Sequence, residues 1–134
     1  MRMHTPSLWG LSALVLTALS GCEGSTSMSH SFHNLLPDTL HVIARFDSLP
    51  WNDTVDVHLA PGQTFTRFTY HMRGKCSQCG DLQGATAWID TLEVPGRTWL
   101  DYPDVPADWW TEVSEGRTWI RFDHTLRIGS TRVE

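Results

Sequence analysis

Two closely spaced cysteines are the residues of this chain best suited to chemistry. Cys76 and Cys79 form a Cys-Ser-Gln-Cys motif, and His71 lies five residues before it. Thiolates at this spacing occur in redox centres and in zinc sites. A redox centre needs its first cysteine at a helix N-terminus, whereas glycines and a strand pattern follow here. We therefore expect a disulfide at a loop tip. The alternatives are a metal site formed by His71, Cys76 and Cys79, and redox activity.

Histidines supply weaker candidates for metal binding. His41 and His58 point away from the apolar faces of two neighbouring predicted strands, where imidazoles from both strands could hold zinc or copper. Histidines in such positions are more often simply solvated, so we predict no bound metal and no other cofactor. No nucleophile elbow, phosphate-binding loop, dinucleotide fingerprint or zinc-protease motif occurs. The sequence therefore predicts a protein that is not an enzyme.

Tryptophan is abundant, with seven residues in the chain. Trp51, Trp109 and Trp110 lie in predicted loops, where a rigid scaffold tends to display its binding groups. Flat indoles in these loops suit stacking on sugar rings or burial in a protein interface. The alternative is that they fold back over an open end of the core.

The first residues of the chain have the pattern of an export signal. Residues 8–19 are apolar and uncharged, and as a helix they would span about 18 Å, too short for a hydrocarbon core of about 30 Å. Ser20 and Gly21 are the small residues that a signal peptidase needs before its cleavage site. The tetrapeptide Leu19-Ser20-Gly21-Cys22 resembles the lipobox of bacterial lipoprotein signal peptides.

That resemblance implies a membrane anchor. In the family, cleavage before the cysteine leaves its thiol with a diacylglyceryl group and its amine with a further acyl chain. Here Cys22 would carry these lipids, which anchor a protein durably. Glu23 stands where an aspartate would signal retention in the inner membrane, so the resemblance favours an outer membrane where one exists. The expected location is extracytoplasmic.

Composition limits the partners of the mature chain. Cleavage would remove 21 of the 134 residues and leave one domain of ordinary size. The net charge of −5 would become −6, because Arg2 leaves with the signal. An acidic domain lacks the basic footprint that nucleic acids require. Lipidation of Cys22 would also leave Cys76 and Cys79 as the one remaining pair of cysteines.

The apolar pattern after the signal has a period of two, which is typical of strands. Seven or eight short strands with Pro-Gly turns between them predict an all-β fold, an antiparallel β-sandwich with an open β-barrel as the alternative. Residues 34–40 and 59–62 resemble small immunoglobulin-like domains of bacterial lipoproteins. We expect a signal peptide at 1–21, a lipidated flexible tether at 22–29 and a sandwich domain at 30–134.

These expectations combine into a functional hypothesis. The protein would be a lipid-anchored, non-catalytic β-sandwich that binds a protein or another envelope partner through its loops. A carbohydrate-binding module using Trp51, Trp109 and Trp110 is the first alternative. A metal- or redox-handling lipoprotein built on Cys76 and Cys79 is the second.

Overall fold

The computed structural model describes residues 24–48, 51–77 and 89–134, which contain seven strands and one short 3₁₀ helix. The strands are β1 Ser25–Asn34, β2 Leu40–Ser48, β3 Trp51–Leu59, β4 Thr64–Arg73, β5 Ile89–Glu93, β6 Trp110–Glu115 and β7 Trp119–Ile128; the 3₁₀ helix is Pro106–Asp108. Within these ranges no helix is long and apolar enough to cross a membrane.

The strands form two sheets that pack face to face. Sheet A has the order β4-β1-β7-β6, and sheet B has the order β3-β2-β5. The sheets do not close into a barrel. The predicted all-β sandwich is therefore confirmed, and the open-barrel alternative is not adopted. One pair departs from the antiparallel prediction, because β1 runs parallel to β7.

Strand β1 begins earlier in the chain than the sequence predicts. Residues 25–29, assigned to the flexible tether, form the first half of β1, between β4 and β7. Thr26 and Ser29 are fully buried there although this segment is polar. Small hydroxyl side chains fit under the neighbouring strands and find hydrogen-bond partners, so a polar strand can occupy the middle of a sheet. The predicted tether boundary at residue 29 is therefore wrong.

The hairpin of sheet B follows the predicted alternation. Leu40 pairs with Leu59, and the alternate apolar residues Leu40, Val42, Ala44, Phe46, Val55 and Leu59 face sheet A. The loop predicted over residues 47–53 is shorter than expected, because β2 continues to Ser48 and β3 starts at Trp51.

Strand β7 is longer than predicted. The sequence predicts a strand over residues 117–122 and a turn at Asp123-His124, but the strand runs unbroken from Trp119 to Ile128. Alternate residues along it are buried, and His124 occupies one of these inward positions with an exposure of 2%. A buried histidine extends the apolar face, which the sequence pattern alone does not reveal. The strand predicted over residues 97–102 is reduced to a single bridge between Trp99 and Val133.

The aromatic spacing of β4 predicts a bulge or a partly two-sided strand, because Phe65 is out of register with Phe68 and Tyr70. The strand does contain a bulge, but it lies between Phe68 and Tyr70. Met28 pairs with Tyr70 and the next residue, Ser29, pairs with Phe68, so Thr69 is the extra residue of a β-bulge. Because of this extra residue, side chains on the two sides of the bulge that would share a face in a regular strand point to opposite faces. Tyr70 packs inside, whereas Phe68, predicted to share its face, is 65% exposed on the outer side.

Both predicted Pro-Gly turns form. Gly62 and Gly96 have φ angles of 78° and 79°, which a type II turn requires at its third position. In each turn the fourth N–H donates to the first carbonyl, from Gln63 to Ala60 at 2.9 Å and from Arg97 to Val94 at 3.0 Å.

The buried apolar residues form two clusters. The main core lies between the sheets and includes Phe32, Leu36, Leu40, Val42, Ala44, Phe46, Val55, Leu59, Leu92, Val94, Trp109, Leu126, Ile128 and Val133. A second core lies further toward the start of β1 and consists of Met28, Ile120 and Phe122, with Tyr70 against it. Along β1 and β7, the paired His30 and His124 separate the two cores.

The side chain of Asn34 ties three parts of the main core together. It is fully buried at the end of β1. Its Nδ2 donates to the carbonyl oxygens of Asp38 and Leu59 at 2.8 and 2.9 Å, and its Oδ1 accepts from the N–H of Leu36 at 2.8 Å. One amide group thus joins sheet A, the turn before β2 and the end of β3 in sheet B.

Replacing Asn34 with alanine should lower the free energy of unfolding by about 2–4 kcal/mol, because it leaves two carbonyls and one N–H without their partner in a buried site. Chemical denaturation measures this change. Asn34→Asp should also destabilise, since a carboxylate cannot donate to either carbonyl. Gln63→Ala is the matched control. It removes an exposed hydrogen bond to the Ala60 N–H and should cost less than about 1 kcal/mol. Equal losses in Asn34→Ala and Gln63→Ala would contradict this role of Asn34.

Candidate functional site

The three tryptophans predicted to bind a partner have different environments. Trp109 is 5% exposed and packs in the main core, with its ring centre 5.9 Å from that of Phe32. The prediction that its indole is displayed is therefore wrong, and the alternative, that it folds back over the core, is what occurs. It also lines a cavity of about 200 Å³ beside β5. Trp51 begins β3 instead of lying in a loop, and only its backbone belongs to the described part of the chain.

Trp110 is exposed, unlike its neighbour Trp109. It is the first residue of β6 and pairs with Thr125, so its ring lies on the outer face of sheet A at 59% exposure. The guanidinium of Arg127 lies over the ring, with Cζ 5.0 Å from the centroid. This is the distance of a cation–π contact, which restrains both side chains.

A second ring–arginine pair lies on the same outer face. The Cζ of Arg121 lies 4.9 Å from the centre of the Phe68 ring. Arg121 also forms an ion pair with Asp123, in which Nε and Oδ1 are 2.8 Å apart. The same carboxylate oxygen accepts a hydrogen bond of 2.5 Å from the Ser29 hydroxyl. Three adjacent strands thus fix the guanidinium before any ligand arrives.

Phe68, Arg121, Trp110 and Arg127 are called the ring–arginine face below. The two rings lie on the edge strands of sheet A, three strand spacings and about two residues apart, which is roughly 15 Å. The surface next to Phe68 is polar. It includes two side-chain pairs, Ser31 with Thr66 at 2.8 Å and His33 with Thr64 at 2.5 Å.

Such a face suits a flat ligand with many hydroxyl groups. Aromatic rings stack on the apolar faces of sugar rings, while hydroxyl, imidazole and guanidinium groups form hydrogen bonds with the sugar hydroxyls. Sequence reasoning missed Phe68, Arg121 and Arg127. The signals that could have found them were the out-of-register Phe65, which indicates a bulge in β4, and the alternation of β7, had the latter been continued through Asp123-His124.

The cysteine motif is only partly within the described residues. Cys76 follows β4, and its backbone N–H donates to the Thr26 hydroxyl at 2.8 Å. His71 is exposed on β4, opposite Ser27. Cys79 lies outside the described residues, as does Cys22. The disulfide and the alternative site of His71, Cys76 and Cys79 therefore stay predictions.

Two histidines and an aspartate meet on the outer face of sheet B. His41 and His58 are directly opposite each other, with their rings stacked at 4.0 Å. The Nε2 of His41 lies 2.5 Å from the Oδ1 of Asp56. Candidate ligand atoms of the three residues lie within 4.8 Å of one another, the one group of this kind among the described residues. The structure thus brings together the two histidines that the sequence placed on neighbouring strands and adds a carboxylate.

A buried pair of imidazoles lies inside the sandwich. His30 and His124 have ring centres 5.3 Å apart, and each Nδ1 lies within hydrogen-bond distance of a threonine hydroxyl, Thr69 at 2.7 Å and Thr111 at 2.8 Å. Within the described part of the chain, the Nε2 of His124 has no hydrogen-bond partner. Burial lowers the pKa of His124 below its usual 6.5, and the charge of Asp123 opposes this shift. The site therefore favours a neutral imidazole.

No protein-family model matches the chain, and neither a curated protein nor a solved structure matches it significantly. The function is therefore inferred from the residues and their geometry alone.

The buried His124 should make the protein less stable in mild acid. Because its pKa is lower in the folded protein, the unfolded chain takes up a proton first, and stability falls as the pH drops below about 6.5. One such proton contributes a slope of at most about 1.4 kcal/mol per pH unit. Denaturation between about pH 7 and pH 5 measures it. His124→Gln should flatten the slope, whereas the control Gln63→Ala, which removes no titratable side chain, should leave it unchanged. A slope unaffected by His124→Gln would refute this assignment.

Proposed function

We propose that the protein is a lipid-anchored, extracytoplasmic β-sandwich that binds an envelope polysaccharide through its ring–arginine face and catalyses no reaction. The observation that carries the binding proposal is the pair of exposed rings, Phe68 and Trp110, each stacked with an arginine on the outer side of one sheet. The lipid anchor is proposed from the Leu19-Ser20-Gly21-Cys22 motif. In an oxidising compartment outside the cytoplasm, Cys76 and Cys79 would form the expected disulfide.

The start of β1 bears on how such an anchor would hold the domain. Gly24 packs against the turn before β7. The N–H of the next residue, Ser25, donates to the Thr118 carbonyl oxygen at 2.9 Å. A Cβ on Gly24 would lie 1.6 Å from that oxygen, so the close approach requires glycine. One residue, Glu23, separates Gly24 from Cys22. Lipid on Cys22 would therefore hold this end of the sandwich within about 7 Å of the anchor point.

The side chains at this end suit a position beside lipid headgroups. Trp119 pairs with Ser25 and is 44% exposed, and indoles prefer the interface between membrane and water. Arg73, on the other side of Ser25, and Arg117 are also exposed. Cations at this end would favour contact with anionic headgroups although the whole domain is acidic.

The composition of the ring–arginine face favours a glycan over a protein partner. Protein interfaces concentrate their energy in a contiguous, desolvated apolar centre. Here the two rings lie near opposite edges of the sheet, with the ion-paired Arg121 and Asp123 on strand β7 between them. Separate stacking platforms with hydrogen-bonding groups between them match a chain of sugar units.

The lipid anchor has a direct test. Cys22→Ser should abolish incorporation of labelled fatty acid and release the protein from the membrane fraction, because the thiol is the site of acylation. Cys76→Ser is the matched control and should keep both the label and the membrane location. Labelled fatty acid in the Cys22→Ser protein would refute the lipobox interpretation.

The binding proposal is tested by affinity electrophoresis and calorimetry of the full chain with a panel of purified envelope polysaccharides. We expect one class of polysaccharide to bind. Phe68→Ala and Trp110→Ala should each weaken binding about two- to tenfold, the equivalent of a ring contact of about 0.5–1.5 kcal/mol. Leu100→Ala is the control, because Leu100 is 56% exposed but lies outside sheet A.

Two outcomes would contradict the proposal. Equal binding by Trp110→Ala, Phe68→Ala and wild type would exclude the ring–arginine face as the site. Binding to an envelope protein, and to none of the polysaccharides, would favour the protein partner that the sequence analysis placed first.

A further inference from the structure

We propose that His41, Asp56 and His58 bind a divalent first-row transition metal, such as Zn²⁺ or Cu²⁺, on the outer face of sheet B. This site is independent of the ring–arginine face, which lies on the opposite side of the sandwich. The antiparallel register places His41 opposite His58 and Asp56 opposite Ile43. Because residues two apart on a strand share a face, all three side chains point away from the core.

The three residues are close enough to bind one ion without movement of the backbone. Their candidate ligand atoms lie within 4.8 Å of one another. A tetrahedral zinc site with bonds of about 2.0–2.2 Å needs ligand atoms about 3.3 Å apart. Small rotations of the side chains close this difference. The paired strands hold the Cα positions, so binding needs only side-chain reorientation, including release of the 2.5 Å contact between His41 Nε2 and Asp56 Oδ1.

The surroundings favour a cation over a purely structural histidine stack. Asp56 is 59% exposed and contacts His41, so its charge lies beside the imidazoles. Glu93 pairs with Ile43 on the other side of β2 and adds a second exposed carboxylate to the same face. Arg45 lies on this face too, two residues beyond Ile43, so Glu93 and Arg45 largely offset each other at the rim. The site itself thus combines two stacked imidazoles with one adjacent carboxylate, that of Asp56.

The ligand set determines the class of metal. Two imidazoles and one carboxylate suit zinc, copper and nickel, whereas calcium and magnesium prefer six or more oxygens. Three protein ligands leave at least one coordination position for water or an external ligand. On an exposed strand surface, this arrangement supports reversible binding more readily than a closed structural site.

The experiment is a titration of the full chain in detergent with Zn²⁺, Cu²⁺ and, as the oxygen-preferring control, Mg²⁺, followed by calorimetry. We expect a single Zn²⁺ or Cu²⁺ site and no heat with Mg²⁺. His41→Gln and His58→Gln should each weaken binding at least about tenfold, and Asp56→Asn should weaken it less. All three side chains are at the surface, so unchanged thermal unfolding shows that each variant still folds.

His71→Gln is the matched control, because His71 is an exposed strand histidine on the other sheet and belongs to the competing site with Cys76 and Cys79. It should leave binding unchanged. Paramagnetic broadening of amide resonances by Cu²⁺ locates the ion, which should affect β2 and β3 near residues 40–43 and 56–59. Absence of binding would mean that the cluster is a packing contact only. Broadening centred on β1 and β4, or loss of binding in His71→Gln, would overturn the proposal in favour of the cysteine site.

Discussion

Sheet A depends on the insertion of β1 between β4 and β7. The first described strand of the chain pairs with the last one in parallel and with β4 in antiparallel orientation. Neither partner is a sequence neighbour, so this sheet forms only after long loops have closed, at an entropic cost that its burial must offset. The buried amide of Asn34 then fastens the end of β1 to sheet B. This hydrogen bond adds a polar link between the sheets to the apolar core that lies between them.

Strand β1 contributes buried residues to both apolar cores. Its inward residues pass from the second core through His30 to Phe32 in the main core. The bulge at Thr69 brings a hydroxyl to His30 and turns Phe68 out to the surface. One irregularity in β4 therefore satisfies a buried imidazole and creates half of the ring–arginine face.

The two proposed sites use opposite outer surfaces of the sandwich. The ring–arginine face relies on flat rings and on an arginine held by Asp123, whereas the site on sheet B relies on the register that places His41 opposite His58. Neither arrangement belongs to a loop. The residues of both proposed sites lie on strands of the two sheets. The proposed lipid anchor would lie at another place, the end of the sandwich that contains Gly24.

The fold class can be predicted from local signals, because alternation with a period of two, Pro-Gly turns and the apolar faces of β2 and β3 can each be recognised within a short stretch of sequence. The sequence also placed His41 and His58 on neighbouring strands. Only the tertiary structure decided that residues 25–29 form a central strand, that Trp109 is buried while Trp110 is exposed, and that Arg121 and Arg127 stack on rings. These outcomes depend on partners distant in the chain. Polar residues such as Ser29, Asn34 and His124 are buried only where residues distant in the chain supply hydrogen bonds, and no local pattern encodes those partners.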